Sequence, residues 1–518
     1  MPRRPLRLRT AEADAEVRAG LDRIRAEYSV PGAFPPAVLA EAAGSGVPAD
    51  GRADLRGVPF FTLDPPGSMD LDQAMYLERR GSGHRVRYAI ADVAGFVRPG
   101  GALDAEARAR GVTLYLPDAN SPLHPRPLSE GSASLLPGRD RPAVAWTIDI
   151  DDAGRITGVD VRRAIVRSRD RLDYATARHD DGDPRIALLG EIGERLIAAE
   201  AARGGVSLPL PEQEVVHAGG GWALKLRGDL ATEAWNAQIS LLTGRAAARL
   251  MLDGGVGLLR TMPPAPAEAV GRLRLAARAL GVAWPGDASY GDIVRALDPS
   301  LPRHAAFLHD AAALMRGAGY TAFDGAPPEQ AVHAAVAAPY AHVTAPIRRL
   351  ADRYASEVCL ALAAGRPVPG WAREALPGLP EVMQRALRRG ADVDHACVDL
   401  VEALLLRDHV GEVFDAVVVD VSADGSGGRV QLVAPPVFGR CEGAGLPLGE
   451  QVKVRLEEAD PARRRVLFSP WRDRGAGHRR RPERRGRQFV LVPTPAKCSA
   501  MSSRPRTVSV PLLMASDA

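Results

Sequence analysis

Length, composition and charge place the chain among ordinary globular proteins. Its 518 residues are 46% hydrophobic and 25% charged, enough for roughly two to four domains with at least one sizeable core, which excludes a chain disordered throughout. The 67 Lys and Arg against 63 Asp and Glu leave a net charge of only +4. No apolar stretch is long enough to span a membrane, and no apolar region follows the basic start. We therefore expect a cytoplasmic protein without a membrane segment or signal peptide.

The cysteines give no sign of a structural metal site. The chain has 4 of them, and none forms a CxxC pair. This spacing argues against a zinc ribbon and against a disulfide framework, and it fits a reducing compartment.

The periodicity changes four times along the chain. Residues 1–50 predict a short helical region, with Thr10 as the cap of its first helix. From Arg56 short strand-like runs alternate with Gly, Pro and Asp turns, and the pattern then becomes mainly helical over 185–405. This order predicts one mixed α/β domain, whose apolar helical stripes are interpreted as core.

The end of the chain divides into two further segments. Residues 411–469 return to a period of two, with five candidate strands and Gly-rich turns, the size of a small OB-type barrel. Residues 472–518 begin with an arginine-rich run without periodicity, and we expect them to be disordered. A basic tail of this kind would raise affinity for nucleic acid without adding specificity.

Three carboxylates gather in the segment TLDPPGSMDLDQA. Asp64 ends an apolar strand, a Pro-Pro-Gly turn follows, and Asp70 and Asp72 lie two residues apart. Clustered carboxylates raise one another's pKa unless a hard cation lies between them, so the spacing favours a Mg²⁺ or Mn²⁺ site. A solvated acidic turn is the alternative. A Ca²⁺ loop is disfavoured because its required Gly and terminal Glu are missing.

A second signal lies far downstream, in PYAHVTAPIRRLADRYA. Arg348 and Arg349 belong to a polar turn that leads into a predicted helix, where N–H groups and guanidinium groups suit a phosphate. A helix cap with surface arginines is the alternative for this turn alone. Together with the carboxylates and the barrel, it favours metal-dependent phosphodiester chemistry on nucleic acid. Tyr115 is either a buried strand residue or an aromatic that stacks on a base.

These motifs resemble, in order, those of the ribonuclease II / ribonuclease R (RNB domain) exoribonucleases. The similar segments are TLDPPGSMDLDQA, IADVAGFVRPGGALDAEARARGVTLYLP, LSEGSASLLPGRDRPA and AHVTAPIRRLAD. The resemblance implies an α+β fold, with an RNB-type catalytic domain over 51–406 and an OB-fold RNA-binding barrel over 411–469. It also implies a monomeric 3′→5′ exoribonuclease that uses no nucleotide cofactor. Such an enzyme hydrolyses single-stranded RNA to nucleoside 5′-monophosphates with two Mg²⁺ ions, Mn²⁺ being a possible substitute.

The resemblance also implies roles for individual residues. Asp64, Asp70 and Asp72 would be metal ligands, and Asp72 would lie nearest the attack on the last phosphodiester, with Asp70 beside it. Arg348 would stabilise charge on the scissile phosphate, with Arg349 as its neighbour in RNA binding. Tyr115 would stack against the 3′-terminal base, which suits any sequence because every base has a π-face.

The chain departs from the family pattern in four places, of which the first matters most and the last is a pair of residues. A fourth aspartate is expected where the chain has Gln73, a neutral oxygen donor that would coordinate a metal weakly or hold a metal-bound water. The other departures are Ala89, Ala345 and the pair Asp394–His395. Because about fifty residues precede the catalytic region, we do not expect the two N-terminal cold-shock barrels of the family here.

These departures leave three functions open. The first is an active exoribonuclease. The second is a catalytically weakened or inactive RNA-binding protein on the same fold, suggested by Gln73. The third is a phosphodiesterase of small nucleotides, for which the barrel would be dispensable.

Overall fold

The computed structural model describes residues 6–177, 182–217, 220–228, 230–472 and 506–507. Its helices are α1 Ala11–Glu27, α2 Pro36–Gly44, α3 Ala102–Arg110, α4 Pro184–Arg203, α5 Ala231–Asp253, α6 Ala267–Leu280, α7 Tyr290–Arg295, α8 Pro302–Ala312, α9 Leu350–Ala363, α10 Gly370–Ala375 and α11 Leu379–Leu406.

The strands fall into two sets. Those before the barrel are β1 Ala53–Asp54, β2 Phe61–Asp64, β3 Gln73–Arg80, β4 Gly83–Ala91, β5 Leu114–Tyr115, β6 Asn120–Ser121, β7 Asp140–Ile150, β8 Ile156–Arg167, β9 Asp170–Asp173, β10 Glu212–His217, β11 Trp222–Arg227, β12 Val256–Thr261, β13 Gly319–Asp324, β14 Val332–His333 and β15 Ala338–Pro339. The last are β16 Val413–Val421, β17 Gly427–Leu432, β18 Phe438–Glu442, β19 Gln451–Asp460, β20 Arg465–Pro470 and the short β21 Arg506–Thr507.

A seven-stranded mixed sheet forms the centre of the catalytic half. Its order is β1-β8-β7-β4-β3-β2-β9. The β3–β4 hairpin turns at Gly81, whose φ of 58° lies in the left-handed region that glycine adopts without strain. Residues 88–91 of β4 and 143–146 of β7 are apolar and buried on both faces of the sheet, as expected for the interior of a layered α/β domain.

The two faces of this sheet pack differently. One bears large side chains, including Tyr88 and Trp146, and packs against the helical layer that contains α4, α5 and α9. The other is lined by small residues, among them Ala74 and Ala89. Because alanines leave the backbone accessible, Ile347 and the turn around it pack directly on this second face.

Helix α11 joins the catalytic half to the barrel. Strands β16–β20 close into a barrel in the order β16-β17-β18-β20-β19, and α11 packs against β19 and β20. Helix α1 lies on α11, and a Cβ on Gly20 would come within 2.5 Å of Leu400 Cδ2, so glycine permits this close approach. Thr10 caps α1 by accepting the Ala13 N–H at 3.1 Å.

The α+β fold and the five-stranded barrel predicted from periodicity are confirmed. The interval 185–405 also contains strands β10–β15, which the predicted helical pattern did not include. Strand β12 explains the omission, because all six of its residues are buried and its sequence therefore shows no alternation. In the part of the chain that the structure describes, no helix is long and apolar enough to cross a membrane. The predicted disordered tail, 472–518, lies almost wholly outside the described residues.

One buried acid connects α11 to both the barrel and β10. Glu402 is 4% exposed, and its Oε1 accepts the Gln213 side-chain N–H at 2.6 Å and the Phe438 backbone N–H at 2.8 Å. Burial raises the pKa of Glu402 to about 8. The carboxyl therefore holds its proton more tightly in the folded chain than in the unfolded one.

We predict that this acid makes the fold less stable at high pH. Between the ordinary value of 4.5 and about 8 the folded chain binds more protons at Glu402 than the unfolded chain does, so stability falls as pH rises through this window. Glu402→Gln keeps an oxygen acceptor and cannot titrate. Its free energy of unfolding in urea should therefore fall less than that of the unsubstituted protein between pH 6 and pH 9. Equal changes in the two proteins would contradict this prediction.

The control for this measurement is Glu381→Gln. Glu381 lies on the same helix, and its side chain is 76% exposed. Its substitution should leave the difference between the two pH values as it is in the unsubstituted protein.

Candidate active site

Residues 64–72, which end β2 and lead to β3, form what we call the carboxylate loop. Hydrogen bonds at Leu71 and Asp72 hold it in place. Leu71 is fully buried, its N–H donates to Ser134 Oγ at 3.0 Å, and its carbonyl accepts the Leu135 N–H at 3.0 Å. The Asp72 carbonyl accepts the Ala91 N–H at 2.8 Å. Because alternate residues of an extended segment point in opposite directions, anchoring Leu71 inward leaves Asp70 and Asp72 on the same side.

Asp64 and Asp70 are desolvated carboxylates at this loop. Asp64 Oδ2 is buried and has no hydrogen-bond partner. Burial raises the pKa of Asp64 to about 7, although the positive charge of Arg348 opposes the shift. Burial also raises the pKa of Asp70, which accepts the Tyr115 hydroxyl at 3.3 Å. Burial of Tyr115 raises its own pKa, so this hydroxyl stays protonated and remains a donor.

Asp72 lies where the carboxylate loop meets the arginine turn. It is 4% exposed, and burial raises its pKa well above the ordinary range. Its Oδ1 accepts the Ile347 backbone N–H at 2.7 Å, and its Oδ2 lies 3.7 Å from Arg348 Nε. The carboxylate motif and the arginine motif, which lie more than 270 residues apart in the sequence, are therefore in direct contact.

The two arginines of the turn have different surroundings. The Arg348 side chain is 50% exposed and faces Asp72. Arg349 is 8% exposed, and its guanidinium donates to both oxygens of Asp352, at 2.6 and 3.0 Å. Asp352 also accepts the Ala345 N–H at 2.8 Å. Arg348 thus faces Asp72, whereas Arg349 is buried and stabilises the turn through its bonds to Asp352.

The other polar residues of this motif are also anchored inside the fold. His342 Nδ1 bonds the Tyr320 hydroxyl at 2.6 Å, and Thr344 Oγ1 bonds Ser240 Oγ at 2.7 Å. Arg353 is 2% exposed and donates to Asp104 on α3. These bonds join the turn to neighbouring elements.

Two tyrosines near the carboxylates were not singled out from the sequence. The Tyr88 hydroxyl donates to Gln73 Oε1, and Tyr174 accepts the Asn236 side-chain N–H at 2.6 Å. Gln73 was expected to offer its oxygen to a metal or its water, but that oxygen already accepts from a fully buried hydroxyl. The alternation of side chains along the two strands could have predicted this contact, because Gln73 and Tyr88 occupy the same face of the β3–β4 hairpin.

The donor set fits a hard divalent cation that receives part of its coordination from elsewhere. Three desolvated carboxylates and one unpartnered buried oxygen, Asp64 Oδ2, are the chemistry that Mg²⁺ or Mn²⁺ prefers. Within the described ranges, no group of three or more His, Cys, Asp or Glu side chains is arranged so that it could hold a metal ion. Water or a bound phosphate would therefore have to supply the missing ligands.

Comparison of the chain with known protein families identifies the family to which it belongs. The profile described as the RNB domain matches residues 52–362, more than half of the chain. The chain belongs to the RNB-domain family. A second profile, the RNase II-type exonuclease C-terminal S1 domain, matches residues 412–471, which contain the barrel. The resemblance inferred from the sequence motifs is thereby confirmed.

Relatives of known name agree with the assignment to the RNB-domain family. Ribonuclease R of Escherichia coli is 28% identical over 497 residues, covering 85% of this chain and 61% of the relative. Ribonuclease R of Acidithiobacillus ferrooxidans is 41% identical over 152 residues, 28% of this chain and 35% of the relative. The chain thus spans about three fifths of the length of the Escherichia coli relative.

Solved structures show the same fold. Mycoplasma genitalium RNase R in complex with ribose-methylated single-stranded RNA superposes with a TM-score of 0.80 at 18% identity, covering 88% of this chain and 78% of that one. A yeast pseudonuclease superposes with a TM-score of 0.64 at 16% identity, covering 85% of this chain and 57% of that one.

We predict that alanine substitutions of the two adjacent arginines have different effects on the free energy of unfolding. Arg349→Ala leaves the buried Asp352 carboxylate without its guanidinium, which should lower the free energy of unfolding by about 3–5 kcal/mol. Arg348→Ala removes a half-exposed guanidinium and should change it by at most about 1 kcal/mol. Urea unfolding of both variants checks the prediction, and similar losses would contradict it.

Proposed function

We propose that the protein is a metal-dependent, hydrolytic 3′→5′ exoribonuclease that shortens single-stranded RNA and releases nucleoside 5′-monophosphates. The observation that carries the proposal is the contact of Asp72 with both the Ile347 N–H and Arg348. This contact puts the desolvated carboxylates beside a guanidinium that suits a phosphate. Such a pairing of hard-cation ligands and a phosphate-binding cation is what phosphodiester hydrolysis requires.

Asp64, Asp70 and Asp72 would hold Mg²⁺, with Mn²⁺ as a substitute. When bound, a pair of such ions supplies activation of water and stabilisation of the leaving 3′ oxygen. The protein's part is to keep the three carboxylates desolvated, which strengthens their attraction for a cation. The Asp64 oxygen without a partner is the strongest sign of this preparation.

Arg348 and Tyr115 would bind the last nucleotide. The Arg348 side chain is half exposed, so it can contact the scissile phosphate and stabilise the charge that develops there. The Tyr115 hydroxyl is bonded to Asp70, which keeps the ring beside the carboxylates, where it would stack on the terminal base. Arg349 would contribute to RNA binding through Arg348, because its own guanidinium is bonded to Asp352.

The relatives support RNA as the substrate. Matched proteins are named ribonuclease R and exoribonuclease 2, and two of the matched Mycoplasma genitalium RNase R structures are complexes with single-stranded or double-stranded RNA. The barrel, matched by an S1 domain, would give the RNA a second contact surface. We further propose that the enzyme acts in the cytoplasm, as a monomer and without a nucleotide cofactor.

A second candidate is an RNA-binding protein that has lost catalysis. Gln73 favours it, because this side chain is neutral and its oxygen is bonded to Tyr88. The fold is compatible with such a loss, since one structural neighbour is described as a pseudonuclease.

The proposed activity predicts a ladder of RNA products that shorten from the 3′ end. A 5′-labelled single-stranded RNA of about thirty nucleotides should be degraded with Mg²⁺ or Mn²⁺ and stay intact with EDTA. Asp72→Asn should lower the rate by about 10³-fold, because transition-state stabilisation through the metal amounts to several kcal/mol. Asp253→Asn, at a side chain that is 71% exposed, is the control and should keep full activity. An Asp72→Asn variant as active as the unsubstituted protein would exclude the mechanism.

Changing Gln73 separates the two candidates. If the enzyme is already adapted to a neutral residue, Gln73→Asp and Gln73→Glu should change the rate little. A gain above about 10²-fold from near-zero activity would instead indicate a decayed site, since that is the scale of restoring one electrostatic group. Intact RNA that still shifts on a native gel would favour the RNA-binding candidate.

A further inference from the structure

One buried hydroxyl holds the chain on both sides of Asp70. Ser134 Oγ donates to the Met69 carbonyl at 2.6 Å and accepts the Leu71 N–H at 3.0 Å. These two backbone groups belong to the peptide units that precede and follow the Cα atom of Asp70. Because each peptide unit is planar, fixing both planes fixes the two backbone dihedral angles of Asp70 and therefore the direction of its Cα–Cβ bond.

The hydroxyl is itself held in one position. Ser134 is fully buried, and its carbonyl accepts the Arg141 Nε–H at 2.8 Å. The next residue adds a third bond to the loop, since the Leu135 N–H donates to the Leu71 carbonyl at 3.0 Å. Leu71 and Leu135 also lie in the same buried hydrophobic cluster. The segment that bears Ser134 is therefore joined to the carboxylate loop by packing as well as by hydrogen bonds.

The carboxylates of Asp70 and Asp72 are held in different ways. The Asp72 side chain accepts the Ile347 N–H at 2.7 Å. The Asp70 side chain accepts the Tyr115 hydroxyl at 3.3 Å, which is long for a bond between a hydroxyl and a carboxylate. The direction of the Asp70 carboxylate is therefore set chiefly by the backbone, and the backbone is what Ser134 holds.

Loss of the hydroxyl would leave two buried backbone groups without this partner. The Met69 carbonyl and the Leu71 N–H are two residues apart, so they could then bond each other in a γ-turn. Asp70 would be the central residue of that turn, which imposes its own dihedral angles there. Its carboxylate would change direction as a result.

We propose that Ser134 is a positioning residue that fixes the backbone on both sides of Asp70 and thereby holds its carboxylate for a divalent cation. The proposal deepens the proposed exoribonuclease and rests on it for the cation. A hydroxyl that only completed the core would be replaceable at a cost in stability alone. Measurements on the carboxylate loop and on cation binding therefore separate the two roles.

The test compares substitutions of Ser134 with a matched substitution in the same segment. Ser134→Ala removes the hydroxyl, Ser134→Cys replaces it with a thiol that is a weak donor and acceptor, and Ser134→Thr retains it. The control is Ser129→Ala. Ser129 is 3% exposed, and its hydroxyl donates to the carbonyls of His124 and Pro125 in its own turn, at 3.3 and 3.4 Å.

Two quantities are measured on the RNA-free protein. Hydrogen exchange of the peptide that contains Leu71, followed by mass spectrometry, reports opening of the loop, and electron paramagnetic resonance gives the Mn²⁺ affinity. Ser134→Ala should speed exchange at Leu71 by about 5-fold, the scale of one lost hydrogen bond. It should weaken Mn²⁺ binding by about 10-fold, the usual effect of losing a group that orients a ligand. Ser134→Cys should behave similarly, and Ser134→Thr should restore most of both losses.

Activity on single-stranded RNA gives a third quantity. Ser134→Ala should lower kcat by about 10-fold and leave KM nearly unchanged, because the substitution changes the cation site and not the RNA-binding surface. Ser129→Ala should lower the thermal midpoint and leave loop exchange, Mn²⁺ affinity and kcat unchanged. If the added methyl group of Ser134→Thr prevents folding, the comparison of Ser134→Ala with Ser129→Ala still decides.

Two results would overturn the proposal. One is a folded Ser134→Ala variant with the loop exchange and Mn²⁺ affinity of the unsubstituted protein. The other is equal losses in Ser134→Ala and Ser129→Ala, which would reduce the hydroxyl to a contribution to stability. An unsubstituted protein that binds no Mn²⁺ would refute this proposal together with the proposed function. One that binds Mn²⁺ but degrades no RNA would refute the proposed function alone, because loop exchange and Mn²⁺ affinity would still test Ser134.

Discussion

The site depends on burying carboxylates that have too few partners inside the protein. Asp64, Asp70 and Asp72 lose water on folding, and burial raises the pKa of each. Such groups are tolerated when a cation, a guanidinium or backbone N–H groups compensate them. The chain supplies Arg348 and the Ile347 N–H for Asp72, and it leaves Asp64 Oδ2 without a partner. A cation bound there would compensate the remaining charge, which is why we propose a metal ion at this place.

Much of the remaining structure serves to hold the arginine turn against that loop. Alanines on one face of the central sheet let Ile347 approach closely. Asp352 accepts the Ala345 N–H and the guanidinium N–H groups of Arg349, and these bonds hold the turn together inside the fold. Since the sheet and the turn come from distant parts of the chain, the geometry of the site depends on the packing of the whole domain. Precise placement of this kind is what electrostatic stabilisation of a transition state needs.

Gln73 shows how one neutral residue changes the charge of a site. A carboxylate there would add a negative charge beside Asp72, whereas glutamine adds none and bonds the buried Tyr88 hydroxyl. Turning the glutamine oxygen toward an ion would leave that hydroxyl unpaired, at a cost of about 1–3 kcal/mol. The proposed metal site would therefore have one protein ligand fewer than the family pattern implies. With fewer protein ligands, bound RNA would have a larger share in completing the coordination of that ion.

The sequence by itself determined the family, the α+β fold, the five-stranded barrel and the identity of the residues that meet at the site. These follow from local information, namely hydrophobic periodicity, turn residues and motif order. Tertiary structure alone decided that Arg348 faces Asp72 while Arg349 lies buried on Asp352, and that the Tyr88 hydroxyl donates to Gln73. The reason is physical, because periodicity gives the face on which a side chain lies but not the partner that a distant segment brings to it. Hydrogen bonds between residues hundreds of positions apart exist only once the core has packed.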